Sequence, residues 1–506
     1  MKTFYITSIL LLCHLIGSAQ TEIDALRFSR IYPYGSARST AMGGAFGALG
    51  GDISTLSVNP GGIGVFRKSE ISFTSMVDFN KVESGIFERS KNRYLIGSLG
   101  FVASFTTGNK KWKSINFGFN YINLNNFNRD GVLGGHISEN SSLIDVWKME
   151  ADGHKRADLD PFTTSLAYDA YLLKKNPNNE TMYDIPLVDG DKLEQKEYIR
   201  NRGYQGEYAL SIGTNYNDKL YLGATLGIQS IHYRSHSIYA EGFPKGTETT
   251  SKLNYFNFHQ IFNTEGVGVN FKTGVIYRPT PLLRLGFAIH TPTIYRLDAH
   301  ALNNVSAFYF EAPDETAKGT EFGNEAYTDY SYKLRTPWRF IASAATVLGQ
   351  RAIISFDYEY VDYTNAKFYN VGDGNDYDGY MLDKDTYVLG TNDMIKETYR
   401  STHNFRIGGE YRFSSIFSLR GGYSYWASPY KTTDLNGKND LQTVSGGFGL
   451  NFSYFYIDAS YMHKWDKKNK YFYNYQNSSM PQPLTSPEVQ SNLKNNEFRI
   501  TLGIRI

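Results

Sequence analysis

Enzymatic chemistry needs a nucleophile beside a base, paired acids, clustered metal ligands or a phosphate-cradling loop, and each pattern can be sought in these 506 residues. The run GGAFGALGG at residues 43–51 has the glycine density of a phosphate loop. Such a loop needs a preceding strand and a following helix within a βαβ unit; here a leader precedes and Pro60 follows. The acidic run Asp373-Gly374-Asn375-Asp376-Tyr377-Asp378-Gly379 is similar to part of a calcium loop, but Tyr377 falls on a ligand position and no Glu closes it. It reads as a solvated loop. His232, His236, His259 and His290 show no paired metal spacing, and there is no Gly-x-Ser-x-Gly elbow. The single cysteine, Cys13, lies in the leader, so the mature chain has no thiol for a disulfide, a metal or a nucleophile. No enzyme, no metal and no cofactor are expected.

What remains is a set of charges on alternate residues. Lys272, Arg284, Arg406, Arg420 and Arg499 fall on the polar sides of apolar/polar alternations, with Asp357, Glu359, Glu410 and Asp458 as candidate partners. Two readings stay open. The charges form an internal network that braces a wall and wedges a plug, or one or two unpaired cations bind an acidic head group such as a carboxylate.

The elements that carry these charges are strands. At the C-terminus Phe498, Ile500, Leu502, Ile504 and Ile506 alternate with Arg499, Thr501, Gly503 and Arg505. Period two puts the two sets on opposite faces, and arginines opposite an apolar face suit a wet lumen. Similar alternation marks segments at about 70–79, 97–107, 114–127, 206–216, 219–240, 254–278, 282–301, 329–348, 351–368, 397–413, 415–431, 441–451, 454–466 and 495–506. That is about fourteen strands, an even number as single-chain outer-membrane barrels have. Short turns near Asn109-Lys110, Asn217-Asp218, Pro279-Thr280, Gly349-Gln350, Ser414 and Ser453 alternate with connections that are mostly long, at 80–96, 128–205, 241–253, 302–328, 369–396 and 467–494. Only 432–440 is modest. An up-and-down barrel segregates its loops this way; a sandwich has no reason to. The 40 Tyr and 33 Phe suit aromatic girdles, and a net charge of +2 argues against a nucleic-acid partner.

Residues 1–19 read as a signal peptide: Lys2, an apolar run at 6–16, then Gly17-Ser18-Ala19. Residues 20–69 read as a plug and 70–506 as the barrel. The core of the plug is 35–62, GSARSTAMGGAFGALGGDISTLSVNPGG, which lacks any large apolar run and relies on close backbone approach. Within 128–205, the segment 142–151 places Leu143, Val146, Trp147 and Ala151 at helical spacing; Asp160-Pro161 reads as an N-cap and first-turn pair ahead of a stripe of Phe162, Leu166, Ala170 and Leu173. These short helices either cap the barrel or, through Leu143, Val146, Trp147, Phe162, Leu166 and Leu173, form an apolar landing groove at its outer end.

Residues 35–62 resemble the N-terminal hatch of the FadL family, outer-membrane transporters of long-chain fatty acids and other hydrophobic compounds. The matching positions are Gly35, Arg38, Gly43, Gly44, Asp52, Asn59 and Pro60, with Gly61 where the family has Ala. GVGVNFKTGVIYRP at 266–279 and RTPWRF at 335–340 also look family-like. The resemblance implies an all-β transmembrane barrel with the hatch in its lumen, in the outer membrane of a Gram-negative bacterium. It also implies a monomer among outer-membrane lipids that takes up a hydrophobic small molecule passively and releases it sideways through a gap in the wall. Some relatives act as secretion or assembly partners, so a non-transport barrel is the alternative.

Overall fold

Period-two alternation resolves in the computed structural model into fourteen antiparallel staves that close on themselves. Residues 21–506 are described except 139–140, 189, 248, 315–316, 350, 371–383, 433, 435–438, 476–479 and 481. The expected leader, Cys13 and the acidic run 373–379 therefore lie outside the described residues. The staves are β1 (Glu70–Ser84), β2 (Phe87–Thr106), β3 (Trp112–Asn126, then Arg129–Ser138), β4 (Leu193–Tyr216), β5 (Leu220–Gly242), β6 (Leu253–Tyr277), β7 (Leu283–His290, then Ile294–Tyr309), β8 (Glu321–Arg335, then Arg339–Leu348), β9 (Ala352–Asp362, then Lys367–Asn370), β10 (Ser401–Arg412), β11 (Phe417–Trp426), β12 (Leu441–Asn451), β13 (Phe455–Lys470) and β14 (Val489–Arg505). Each pairs with its chain neighbours, and β14 returns to β1 from Glu70↔Arg505 to Glu83↔Asn492, so the ring is complete. Closure removes the sheet edges that an open sheet would leave bare.

The staves extend further at the outer end than their alternation shows. β4 starts at Leu193 instead of 206, β8 at Glu321 and β14 at Val489, while β1 and β2 continue to a tight turn at Gly85-Ile86. Outside the apolar belt both faces of a strand are wet, so polar residues fill both and the alternation vanishes while the ladder continues. The short turns hold their expected places. At β4–β5, Asn217 and Asp218 both take positive φ, at 57° and 55°, in a turn closed by Lys219 N donating to Tyr216 O at 3.1 Å, the backbone of the tight hairpin turns that favour Asn and Asp. The outward face of the lower half is apolar: Phe101, Leu210, Phe271, Phe356, Ile407 and Ile500 are between 42% and 53% exposed. The inward face is polar and buried, with Lys272, Asp357, Glu359, Arg406 and Arg499 all covered.

What covers them is the N-terminal segment. It runs through α1 (Glu22–Ser29), α2 (Ala37–Ala41), α3 (Thr55–Val58) and a 3-10 turn at Pro60–Val65, and nearly every residue from 34 to 64 is buried inside the ring. Four staves are interrupted. Pro292 and Pro337 remove ladder donors from β7 and β8, and Thr336 Oγ1 accepts the Thr293 amide at 2.8 Å in their place. At the outer end α4 (Leu143–Ala151) and α5 (Thr164–Asp169) form a cap, and α6 (Lys384–Thr398) lies beside the upper part of β9.

Candidate functional site

A chain rich in Gly, Ala and Ser offers backbone groups more than side chains, so its seat in a lumen must be made from hydrogen bonds supplied by the wall. Three of the five cations picked from the alternation meet it there directly, and Arg406 and Arg420 hold the carboxylates that receive it. Arg499 Nη1 donates to the Gly35 carbonyl at 2.6 Å and its Nε to Glu497 at 2.5 Å. Arg420 lies 2.8 Å from Glu410 and 2.5 Å from Asp458. Glu410 also receives Arg38 of the plug at 2.9 Å. Arg406 stands 3.2 Å from Glu359 and 3.5 Å from Asp357; Asp357 in turn accepts the Phe46 and Gly47 amides at 3.1 and 3.0 Å. Lys272 donates to Glu207 at 2.5 Å and to the Ser57 carbonyl at 3.2 Å. Arg284 Nη1 donates to the Leu49 carbonyl at 2.6 Å. All five are thus placed against the plug or a carboxylate instead of an open cavity.

The matched plug residues divide by role. Asp52 gathers Ser36 Oγ at 2.8 Å and the Ser54 amide at 3.0 Å, which ties the two ends of the Gly-rich run together. Asn59 Oδ1 accepts the Gly61 amide at 3.0 Å, while its Nδ2 donates to the Gly47 and Val275 carbonyls at 2.5 and 3.2 Å. Gly35, Gly43 and Gly44 have φ of +48°, +63° and +75°. Pro60 lies flat on the wall at Gly223, where a Cβ would stand 2.0 Å from the Pro60 carbonyl oxygen. Several seat residues carried no signal as isolated letters: Asn116 Nδ2 donates to Ile63 O at 2.7 Å, Thr225 to Leu56 O at 3.0 Å, and His290 contacts Val58 O at 2.9 Å. Their inward parity was the one available clue.

At the outer end, Leu143, Val146, Trp147, Leu166 and Leu173 are buried together with Tyr239, Phe256, Phe258 and Val305 of the wall. Trp147 packs on Phe256 and Phe258, with centroids 5.6 and 5.4 Å away. Phe162 is half-buried. The stripe faces inward, so these residues line no open groove. Ser142 caps α4 by accepting the Ile144 amide at 3.0 Å. Asp160 caps a turn by accepting the Phe162 amide at 2.9 Å, and α5 begins four residues after Asp160. Glu241 anchors the cap to the wall, accepting from the Leu143 amide at 3.1 Å and Gln195 Nε2 at 2.9 Å. Burial pushes its carboxyl up to about 7 despite these donors.

The wall itself is interrupted between β2 and β3. Their ladder runs from Thr106↔Ser114 to Ser98↔Ile122. Above it, β3 breaks at Phe127-Asn128 and turns inward, where its upper arm pairs with β4 and packs Gly131 and Gly135 against Val82 and Phe87. Among the described residues, β2 from Phe87 to Ile96 pairs with β1 alone. Tyr94 and Ile96 on this bare edge are 63% and 42% exposed, so the seam opens within the upper part of the apolar belt. The plug runs along its inner side: Tyr32 N donates to Leu124 O at 2.9 Å, and a Cβ on Gly97 would stand 3.5 Å from the Gly35 carbonyl oxygen.

A model of the family described as "Outer membrane protein transport protein (OMPP1/FadL/TodX)" matches residues 207–502. The crystal structure of a FadL homologue from Pseudomonas aeruginosa superimposes with a TM-score of 0.56 at 13% identity, covering 94% of this chain and 99% of that one. The Pseudomonas putida toluene transporter TodX gives 0.51 at 12% identity, with coverages of 94% and 99%. At such identities the likeness is one of fold. No curated protein matches the chain by sequence.

Proposed function

The chain belongs to the outer membrane protein transport protein family (OMPP1/FadL/TodX), and from that membership we propose that it carries hydrophobic small molecules, fatty-acid-like chains among them, passively across the outer membrane. The observation that carries the reading is the pairing of a filled lumen with a seam in the apolar belt. A plug held by Asp357, Glu410, Arg499 and Asn59 leaves no open aqueous bore for a general porin. The seam beside Gly35 offers an apolar chain a sideways exit into lipid, where each buried CH₂ is stabilised by about 0.8 kcal/mol. Residues 35–62 act as the hatch, and the barrel works as a monomer. Lys91 on β2 lies 3.9 Å from Asp130 on the inward arm of β3. Joining Lys91→Cys and Asp130→Cys with a short thiol–thiol linker is expected to cut uptake of a labelled long-chain fatty acid severalfold; undiminished uptake rejects the seam as the exit.

A further inference from the structure

Three consecutive staves break at one level of the wall. The ladder between β7 and β8 skips from His290↔Arg339 to Ile294↔Arg335, and that between β8 and β9 from Arg339↔Val361 to Arg335↔Lys367. In the second gap residues 336–338 of β8 face 362–366 of β9, so β9 takes the longer path. Its surplus folds into a 3-10 turn at Tyr363–Asn365, capped by Asp362, which accepts the Thr364 amide at 3.1 Å. Pro337 lacks the amide that would help close the gap. On the outward face the gap leaves an open notch of about 300 Å³, lined by Trp338, Phe340, Tyr360, Asp362 and Asn365. The Trp338 and Phe340 rings lie nearly parallel, with centroids 6.4 Å apart, and the two residues are 47% and 37% exposed.

Above the notch, towards the outer loops, the same face is cationic. Tyr295, Leu297, Leu334 and Phe368 are buried inward, which turns Arg296, Lys333, Arg335 and Lys367 outward. Arg296 stands opposite Lys333, and Arg335 opposite Lys367. Like charges directly opposite each other destabilise a sheet, and an oxyanion between them reverses the sign. The ring of Tyr369 gathers two of the four: Arg335 Cζ is 5.8 Å and Lys367 Nζ 5.0 Å from its centroid. The acids on this face have partners of their own. Asp298 accepts the Ser331 hydroxyl, Asp329 meets His300 Nδ1 at 2.7 Å, and Asp362 holds its turn. An aromatic notch at the rim of the apolar belt, with cations just above it, is what a phosphorylated lipid completes.

We propose that this face binds one molecule of the phosphorylated glycolipid that fills the outer leaflet of a Gram-negative outer membrane. A phosphate lies on Arg335 and Lys367 with Arg296 and Lys333 beside them, and an acyl chain lies in the notch against Trp338 and Phe340. The site is on the outside of the ring, so it does not depend on what crosses the lumen.

The test titrates the full chain in detergent with diphosphorylated lipid A, its dephosphorylated form and dioleoyl phosphatidylglycerol, read by native mass spectrometry. Diphosphorylated lipid A is expected to bind most tightly. Arg335→Gln with Lys367→Gln is expected to weaken it about thirtyfold and to leave the dephosphorylated form unchanged. Trp338→Ala is expected to weaken both forms by the same factor. Arg234→Gln, which removes an outward arginine of β5 that lies 3.3 Å from Glu265, is expected to change nothing. A wild-type protein that binds the dephosphorylated form as tightly as the diphosphorylated one overturns the site, and this arm needs no variant to fold. A double Gln variant that keeps its preference overturns it as well. Phosphatidylglycerol binding as tightly as lipid A shows a general anionic-lipid surface and rejects the glycolipid.

Discussion

At the scale of single residues, the wall holds the plug through a few groups with no spare partners. Asp357 accepts two plug amides and faces Arg406. Removing one partner from a buried ionic cluster costs roughly 3–5 kcal/mol, so Asp357→Ala is expected to lose stability of that order in denaturant titration and to raise ion conductance in planar bilayers. Steric seats make a second case. Gly223→Ala drives a Cβ into the Pro60 carbonyl, whereas Gly421→Ala meets nothing within 4 Å; the first is expected to leak and the second to conduct like wild type. The alternation around 406, 420 and 499 showed which side each arginine takes, because parity along a strand is local. Glu359 and Glu410 stood among the candidate partners, but which arginine each meets depends on register between staves; Glu497, two residues from Arg499 on the same strand face, was within reach of parity.

At the scale of elements, the outer cap depends on Glu241. Its ordinary value of 4.5 rises to about 7 in the folded cap. The folded state therefore keeps a proton that the unfolded chain gives up. The stabilisation is full below pH 4.5, is lost as pH rises to 7, and amounts to the order of 3 kcal/mol. Protection of the α4 amides, taken relative to the intrinsic base-catalysed rate at each pH, is expected to be greater at pH 5 than at pH 8, and Glu241→Gln is expected to remove the difference. The helix itself was readable from the spacing of Leu143, Val146 and Trp147. Its partner was not: Phe256 and Phe258 lie on β6, over a hundred residues away, and an apolar stripe reads the same whether it meets a wall or a ligand. The outer strand extensions escaped notice because polar residues on both faces leave no periodicity to find.

At the scale of the whole molecule, the plug is a stopper with its own seat, and its removal is testable. Deleting residues 35–62 leaves the fourteen-stave ladder untouched while stripping the lumen of its filling. The deleted barrel is expected to run as a folded species on unheated gels and to conduct far more than wild type; equal conductance rejects the stopper. The even stave count and the one-sided loops were legible from the outset, because barrel closure imposes both. The break in β3 was not, for Phe127-Asn128 contains neither proline nor glycine.

The closing ladder from Glu70↔Arg505 to Glu83↔Asn492 also sets an order in time. The plug is synthesised first, yet Arg406, Arg420 and Arg499, which receive it or its anchors, come from the last quarter of the chain. Until β14 exists, β1 and β13 both expose bare strand edges, ready templates for wrong pairing. The full seat of the plug therefore exists only once the ring has shut around it. A chain that ends before residue 489 keeps two bare margins, at β1 and β13, and lacks Arg499, the group that holds Gly35 of the stopper.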